Sequence, residues 1–185
     1  CRAHGIRVSR TAGANSEAVA DYAMALMLAV ARRVPLIDGK CRAMNWGKIT
    51  TRDVSHATLG LLGLGAIGKH VAKRAQGFGM KVIAYDVFWN EEYAAANGVE
   101  YAEPETIFRT ADFISLHLPL TPETKNYVGE RELSMMKPDA VLINTARGGL
   151  VDEEALLRAL QERRIYGAGL DAFAHEPPEN PAWLT

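Results

Sequence analysis

The chain has 185 residues, 48% hydrophobic and 23% charged, an ordinary balance for a soluble globular protein with room for a real core. Its net charge of −1 gives no electrostatic case for a nucleic-acid or polyanion partner. The two cysteines, Cys1 and Cys41, form no C-x-x-C pattern; neither a disulfide scaffold nor a zinc site is expected, and a reducing, cytoplasmic setting fits.

In chain order, Ile6-Arg7-Val8-Ser9 reads as a short strand-like piece. Asn15 or Ser16 is placed to cap a helix running to about Arg33, with Glu17 in its first turn and Arg32 and Arg33 at its C-terminal end. Pro35 is compatible with the helix ending there. Small and apolar residues cover most of its circumference, which predicts burial on more than one face. The longest apolar run, Tyr22 to Ala31, is too short to span a bilayer and too far from the start for a signal peptide, so no membrane association is expected. Residues 39–57 read as a polar connector carrying Trp46. The chain does not begin with Met, and both ends are expected to be cuts in a longer protein.

From Ala57 onward strands and helices alternate. Strands are predicted at 58–63, 81–85, 98–101, 112–117, 140–144 and 167–171, and helices at 66–77, 91–97, 104–110, 122–136 (or two short turns there) and 152–163. Ala140-Val141-Leu142-Ile143-Asn144 is apolar on both sides, as a sheet covered on both faces requires. The expected fold is α/β, a doubly wound parallel sheet in the order 3-2-1-4-5-6 with helices on both faces and a ligand at the carboxyl ends of the strands.

The first strand runs into Gly63-Leu64-Gly65-Ala66-Ile67-Gly68, a G-x-G-x-x-G turn that opens a helix. Asp86 follows the second strand, 18 positions after Gly68. This is the layout of a Rossmann dinucleotide-binding unit. Gly63 allows the tight turn, Gly65 lets backbone approach a pyrophosphate, and Gly68 lets helix and strand pack closely. The helix N-terminus favours phosphate, and Asp86 can accept from both hydroxyls of the adenine ribose. Val87 and Phe88 follow Asp86 with no adjacent arginine, which predicts NAD over NADP, because a carboxylate repels a 2′-phosphate. The competing reading is a tight turn that holds no ligand.

The fold also singles out the residues after strands four, five and six. Arg147, at a strand end and followed by two glycines, is suited to grip a substrate carboxylate through two parallel hydrogen bonds and to favour negative charge on a reacting oxygen; a surface ion pair is the alternative. Asp171 is placed to accept from a nicotinamide carboxamide, or to cap a turn. Glu176 is placed to tune a catalytic histidine, or is a solvated loop acid, and the sequence does not separate it from Glu179. His117 and Pro119 are candidates for walling the adenosine end, with a packed strand-end histidine as the alternative; a surface role is preferred for His175.

With these residues assembled, the chain resembles the nucleotide-binding domain of the D-isomer-specific 2-hydroxyacid dehydrogenases, in the manner of 3-phosphoglycerate dehydrogenase and hydroxypyruvate or glyoxylate reductase. The carrying blocks are Gly13 to Asp21, Leu59 to Gly68 with Ala84-Tyr85-Asp86, His117 to Thr124, Asn144 to Asp152, and Gly169 to Phe173 with Glu176-Pro177. The resemblance implies that residues 1–185 are an NAD-binding domain, with 1–57 an interdomain and dimerisation segment and 58–185 the Rossmann core. It implies that Arg147 binds the substrate carboxylate and carbonyl, and that Glu176 is the acid partner of the catalytic histidine. Asp171 would hold the nicotinamide amide, Asp86 the adenine ribose, and Ala66 and Ile67 the pyrophosphate. Thr124, Thr145 and Ala146 complete the cofactor set. The family commonly has arginine where this chain has Ala66. Its catalytic histidine follows the Glu-Pro motif, so that histidine and the discontinuous substrate domain are expected outside this chain. The implied activity is hydride transfer between NAD(H) and a 2-hydroxy or 2-keto acid by a cytoplasmic homodimer, with Trp46 near the partner chain. Burial against the substrate domain is the alternative for that surface. Alternative functions are an NAD-sensing corepressor-like module and a phosphonate or formate dehydrogenase on the same scaffold.

Overall fold

The computed structural model describes residues 2–9, 11 and 13–184. Six parallel strands form one sheet in the order β3-β2-β1-β4-β5-β6. They are β1 (Thr58–Leu62), β2 (Lys81–Tyr85), β3 (Val99–Tyr101), β4 (Phe113–Leu116), β5 (Val141–Asn144) and β6 (Gly167–Leu170). Strand β1 is central: Leu61 is paired with Ala84 of β2 on one side and Ser115 of β4 on the other. The strand order reverses between β1 and β4, which opens a crevice at their carboxyl ends.

Alternation along each strand feeds two cores. Leu59, Leu61, Phe113, Val141 and Ile143 enter the core on one face, whereas Leu62, Ile114 and Leu142 enter the other. The helices in chain order are α1 (Ser16–Ala31), α2 (Val34–Arg42), α3 (Ala66–Gly77), α4 (Glu91–Ala96), α5 (Pro104–Thr110), α6 (Glu130–Met135) and α7 (Glu153–Gln161). The first core packs α1 and α3 through Ala20, Ala23, Met27, Val71 and Ala75; the second packs α5 and α7 through Ile107, Phe108, Leu156 and Ala159.

Helix α1 precedes every strand, yet it lies on the sheet. Its buried residues are Ser16, Ala20, Ala23, Met24, Met27 and Ala31, a single stripe at helical spacing. The glycines of β6 make room for it: a Cβ on Gly167 would stand 2.8 Å from the Val30 side chain, and one on Gly169 would stand 3.1 Å from Leu26 Cβ. The expectation of burial on several faces is therefore met only in part, with Leu26, Leu28 and Val30 half-buried and Tyr22 exposed.

Local expectations are refined at several places. Residues 6–9 form no strand; Ile6 and Val8 are exposed and have no strand beside them. Helix α1 ends at Ala31, close to the expected Arg33, but Pro35 also stands in the first turn of a second helix that begins at Val34. Arg33 turns the chain in the left-handed region with φ 50°, and proline in a first helical turn loses no intrahelical bond. The connector read at 39–57 is accordingly helical to Arg42 and irregular beyond Ala43 and Met44. In the stretch 122–136 a single helix does not form: a turn over 122–126 precedes α6, in keeping with the alternative of two short turns. Val128 bridges Val151 in parallel, and Asn126 N donates to Gly149 O. Asn15 stands at the N-cap of α1 without a side-chain capping bond.

The amino edge of the sheet is fastened by Asp112. Its carboxylate accepts from Thr58 N at 2.8 Å and Lys137 Nζ at 3.0 Å, with Arg52 Nη2 at 3.6 Å. Arg52 also pairs with Asp139 at 3.1 Å, and its backbone N donates to Ala31 O, tying the connector to α1 and the sheet. Burial alone would raise the Asp112 pKa, but the Thr58 amide, Lys137 and Arg52 outweigh it and hold the carboxyl below its ordinary value. The folded protein thus holds this proton more weakly than the unfolded chain. The stabilisation is present above the ordinary carboxylate pKa and is lost as pH falls through the folded one. Asp112→Asn is expected to cost about 1–3 kcal/mol near pH 7. Urea unfolding of both proteins should show the gap closing below a pH of about 4.

Candidate functional site

Backbone packed on backbone builds the crevice. Gly63 has φ +103°, and its N–H donates to Tyr85 O at 2.8 Å. A Cβ there would lie 2.6 Å from His117 O, and one on Gly68 would lie 2.2 Å from Gly63 O. Gly65 is the N-cap of α3, and a Cβ on it would point into open space. The first-turn amides of Ala66 and Ile67 have no intrahelical acceptor and face that opening at the positive end of the helix dipole.

Asp86 is fixed against this turn. Its Oδ2 accepts from Leu64 N at 2.6 Å and its Oδ1 from Phe88 N at 2.8 Å. Each carboxylate oxygen keeps acceptor capacity, so the side chain is oriented without being exhausted.

Strand β4 is followed by His117, whose Nε2 lies 2.9 Å from Ser115 Oγ. Burial pushes the His117 pKa down to about 4, so the ring is neutral at physiological pH. Its Nδ1 is buried without a hydrogen-bond partner, as is Thr145 Oγ1 at the end of the adjacent strand. Two orphaned polar atoms at neighbouring strand ends suit a site that a polar ligand completes. Pro119 lies exposed on the loop that follows. Thr124 Oγ1 donates to Pro119 O at 2.7 Å and accepts from Thr121 N at 2.8 Å, so its hydroxyl closes that loop.

Beyond β5, Asn144 is the organiser that the sequence reading did not single out. Its Nδ2 donates to Arg147 O at 2.8 Å and its Oδ1 accepts from Ala146 N at 3.0 Å. Asn144 O accepts from Asp171 N at 3.0 Å, so one residue sets both the Arg147 and Asp171 backbones. The Asp171 side chain is exposed. Arg147 is also exposed and donates to Ala146 O at 2.7 Å; among the described residues its guanidinium has no carboxylate partner. Gly148 was also missed. A Cβ there would stand 1.9 Å from the Phe173 carbonyl carbon, so only glycine lets the Arg147 loop lie directly on the loop carrying Glu176. Glu176 Oε1 accepts from Phe173 N at 3.1 Å and braces that loop. The signal for both missed residues was in the sequence: a polar residue ending an apolar strand, and a glycine beside the candidate cation. His175 is exposed.

A broad apolar groove lies elsewhere, beside β6, lined by Leu26, Val30, Pro35, Leu160 and Ile165 among others. It contains none of the candidate residues, so chemistry rather than concavity locates the site. Among the described residues no group of three or more His, Cys, Asp or Glu is arranged to hold a metal ion.

The switch-point crevice, the glycine turn and the oriented Asp86 define a dinucleotide-binding domain of the doubly wound class. A family model for the D-isomer specific 2-hydroxyacid dehydrogenase NAD binding domain matches residues 24–185, and the chain belongs to that family. It is 47% identical over 185 residues to a glyoxylate reductase from Thermococcus litoralis, covering 95% of this chain and 56% of the relative. It is 42% identical to a D-3-phosphoglycerate dehydrogenase from Methanocaldococcus jannaschii, covering 98% of this chain and 35% of the relative. The structure of an Aquifex aeolicus D-lactate dehydrogenase complexed with NAD and lactic acid superposes with a TM-score of 0.87 at 34% identity, covering 100% of this chain and 59% of that one. The chain thus spans about half the length of the first of these relatives or less. The domain is an NAD-binding one.

Two substitutions test the turn. Gly68→Ala should cost about 1–3 kcal/mol of stability from overpacking and weaken NADH binding in calorimetry. Asp86→Ala should narrow the preference for NADH over NADPH; tighter NADPH binding by the unaltered protein would contradict the role given to Asp86.

Proposed function

We propose that this domain serves an oxidoreductase that transfers hydride between NAD(H) and a small D-2-hydroxy or 2-keto acid. The observation that carries this reading is Arg147, a cation at the carboxyl end of β5 with no carboxylate partner among the described residues, anchored through Asn144 beside Asp171. A guanidinium so placed holds a substrate carboxylate through two parallel N–H donors and favours negative charge on the neighbouring carbonyl oxygen. Bound NAD supplies the hydride carrier. On this reading Ala66 and Ile67 present amides to the pyrophosphate across the space left by Gly65, with Gly63 and Gly68 holding the turn. Asp86 takes the adenine ribose, and His117 and Pro119 wall the adenosine end. Thr145 and Ala146 line the centre, and Asp171 accepts from the carboxamide. Thr124 acts by shaping its loop.

The reaction also moves a proton to or from the substrate oxygen. His117 is neutral and engaged with Ser115, which suits a wall rather than a proton donor. We assign the proton transfer to a histidine outside residues 1–185, with Glu176 as its acid partner. The acids of choice are glyoxylate, hydroxypyruvate and phosphohydroxypyruvate, in line with the relatives' activities.

Arg147→Gln in the full-length protein should lower kcat/KM for these acids by about 10²–10³-fold in NADH-oxidation assays, while NADH affinity changes little. Arg147→Lys should recover part of the loss. Residues 1–185 alone should bind NADH yet show no robust turnover, because a missing general acid typically costs about 10²–10⁴-fold. Robust turnover by that piece would place the proton donor within it.

We further propose a homodimer built on α2 and the segment after it. Val34, Leu36 and Ile37 are exposed there, and Met44 and Trp46 are 78% and 74% exposed. An apolar surface of this kind suits a protein partner. No helix among the described residues is long and apolar enough to cross a membrane. Trp46→Glu should shift the protein towards monomer in sedimentation. A wild type that stays monomeric at high concentration would remove the proposal.

A further inference from the structure

A pyrophosphate brings two negative charges to a turn that holds no cation. Residues 63–68 carry no charged side chain, and Asp86 adds a further negative charge beside them. The helix dipole offers only about half a positive charge. Any side-chain cation that adds to the amides comes from outside the turn.

One face of α3 holds the candidates. Ala66, Lys69, His70, Lys73 and Arg74 line a common concavity with Tyr93 of α4. Arg74 is paired with Asp21, and His70 Nδ1 lies 3.8 Å from Glu17. Lys69 and Lys73 have no carboxylate partner among the described residues. Lys73 lies one turn further along, about 6 Å more distant from the turn. Lys69 is three positions after Ala66, and helical side chains lean towards the N-terminus, so its stem covers the Ala66 turn. Ala66 is too short to obstruct it. The Lys69 ammonium rests 4.4 Å above the Tyr93 ring centroid. Tyr93 is itself placed by the Asn90 cap of α4, which accepts from Tyr93 N at 2.8 Å, and its hydroxyl donates to Lys69 O at 3.3 Å. The ring holds the ammonium in the concavity that Ala66 also lines, without neutralising it.

We propose that Lys69, steadied by Tyr93, is the cation that meets the dinucleotide pyrophosphate across Ala66. This rests on NAD binding at the Gly63–Gly68 turn. The test is calorimetric titration with NADH at low and high ionic strength for wild type, K69Q, K69R and K73Q, with thermal melts to confirm folding. K69Q should weaken binding about three- to tenfold at low salt, about the loss of one charged contact. The deficit should shrink at high salt, where exposed charges are screened. K69R should retain affinity, and K73Q should stay close to wild type. Normal wild-type binding with K69Q unchanged, or K73Q losing as much as K69Q, would overturn the assignment of Lys69 alone. A wild type that fails to bind NADH would remove both this inference and the binding site on which it rests.

Discussion

The constraint on which the rest depends is the contact of bare backbone at the carboxyl end of β1. Gly63 stands against the His117 carbonyl, and Gly68 stands against Gly63 itself. No side chain intervenes at either place, so strand β1, helix α3 and the end of β4 approach more closely than any Cβ would permit. That closeness opens α3 with its first amides at the crevice and brings Asp86 within hydrogen-bonding distance of Leu64 N. It also sets His117 beside the turn, half-buried with its Nδ1 shielded from solvent, and that burial keeps the ring neutral.

A second contact of the same kind governs the opposite end of the crevice. Gly148 lies on the Phe173–Ala174 backbone, and Asn144 fixes the loop that precedes it. The two ends differ in what they leave free. At the glycine turn the open groups are amides, suited to phosphate. At the β5 and β6 ends they are a guanidinium and carboxylates on mobile-length side chains, suited to a small acid and an amide. The polarity of the crevice follows from which groups are left open at each strand end, amides at one and side chains at the other.

Much of this was legible in the sequence, for physical reasons that differ by element. The alternation of Leu59, Leu61 and Phe113 against Leu62 and Ile114 reports a sheet covered on both faces, and the bounds of α3 and α5 match the sequence reading residue for residue. Helix α2 was hidden because Pro35 reads equally as a stop or as a first-turn residue, and only the left-handed Arg33 decides between them. The segment 122–136, read as a helix or two short turns, holds a turn and α6, but the pairing of Val128 with Val151 between them is non-local and no local pattern announces it. At the site, the charged residues were visible as residue types. The roles of Asn144 and Gly148 were not, because the Asp171 N–Asn144 O bond and the approach of Gly148 to Phe173 join segments distant in sequence. Thr124 shows the reverse case: a hydroxyl expected at the cofactor is occupied by its own loop.

The most direct test of the central claim is a crystal structure of the protein with NADH bound. The pyrophosphate should sit on the Ala66 and Ile67 amides, the adenine ribose hydroxyls on Asp86, and the nicotinamide beside Asp171 and Arg147. A dinucleotide seated in the apolar groove beside β6, or bound with its adenine end at Arg147, would contradict that claim.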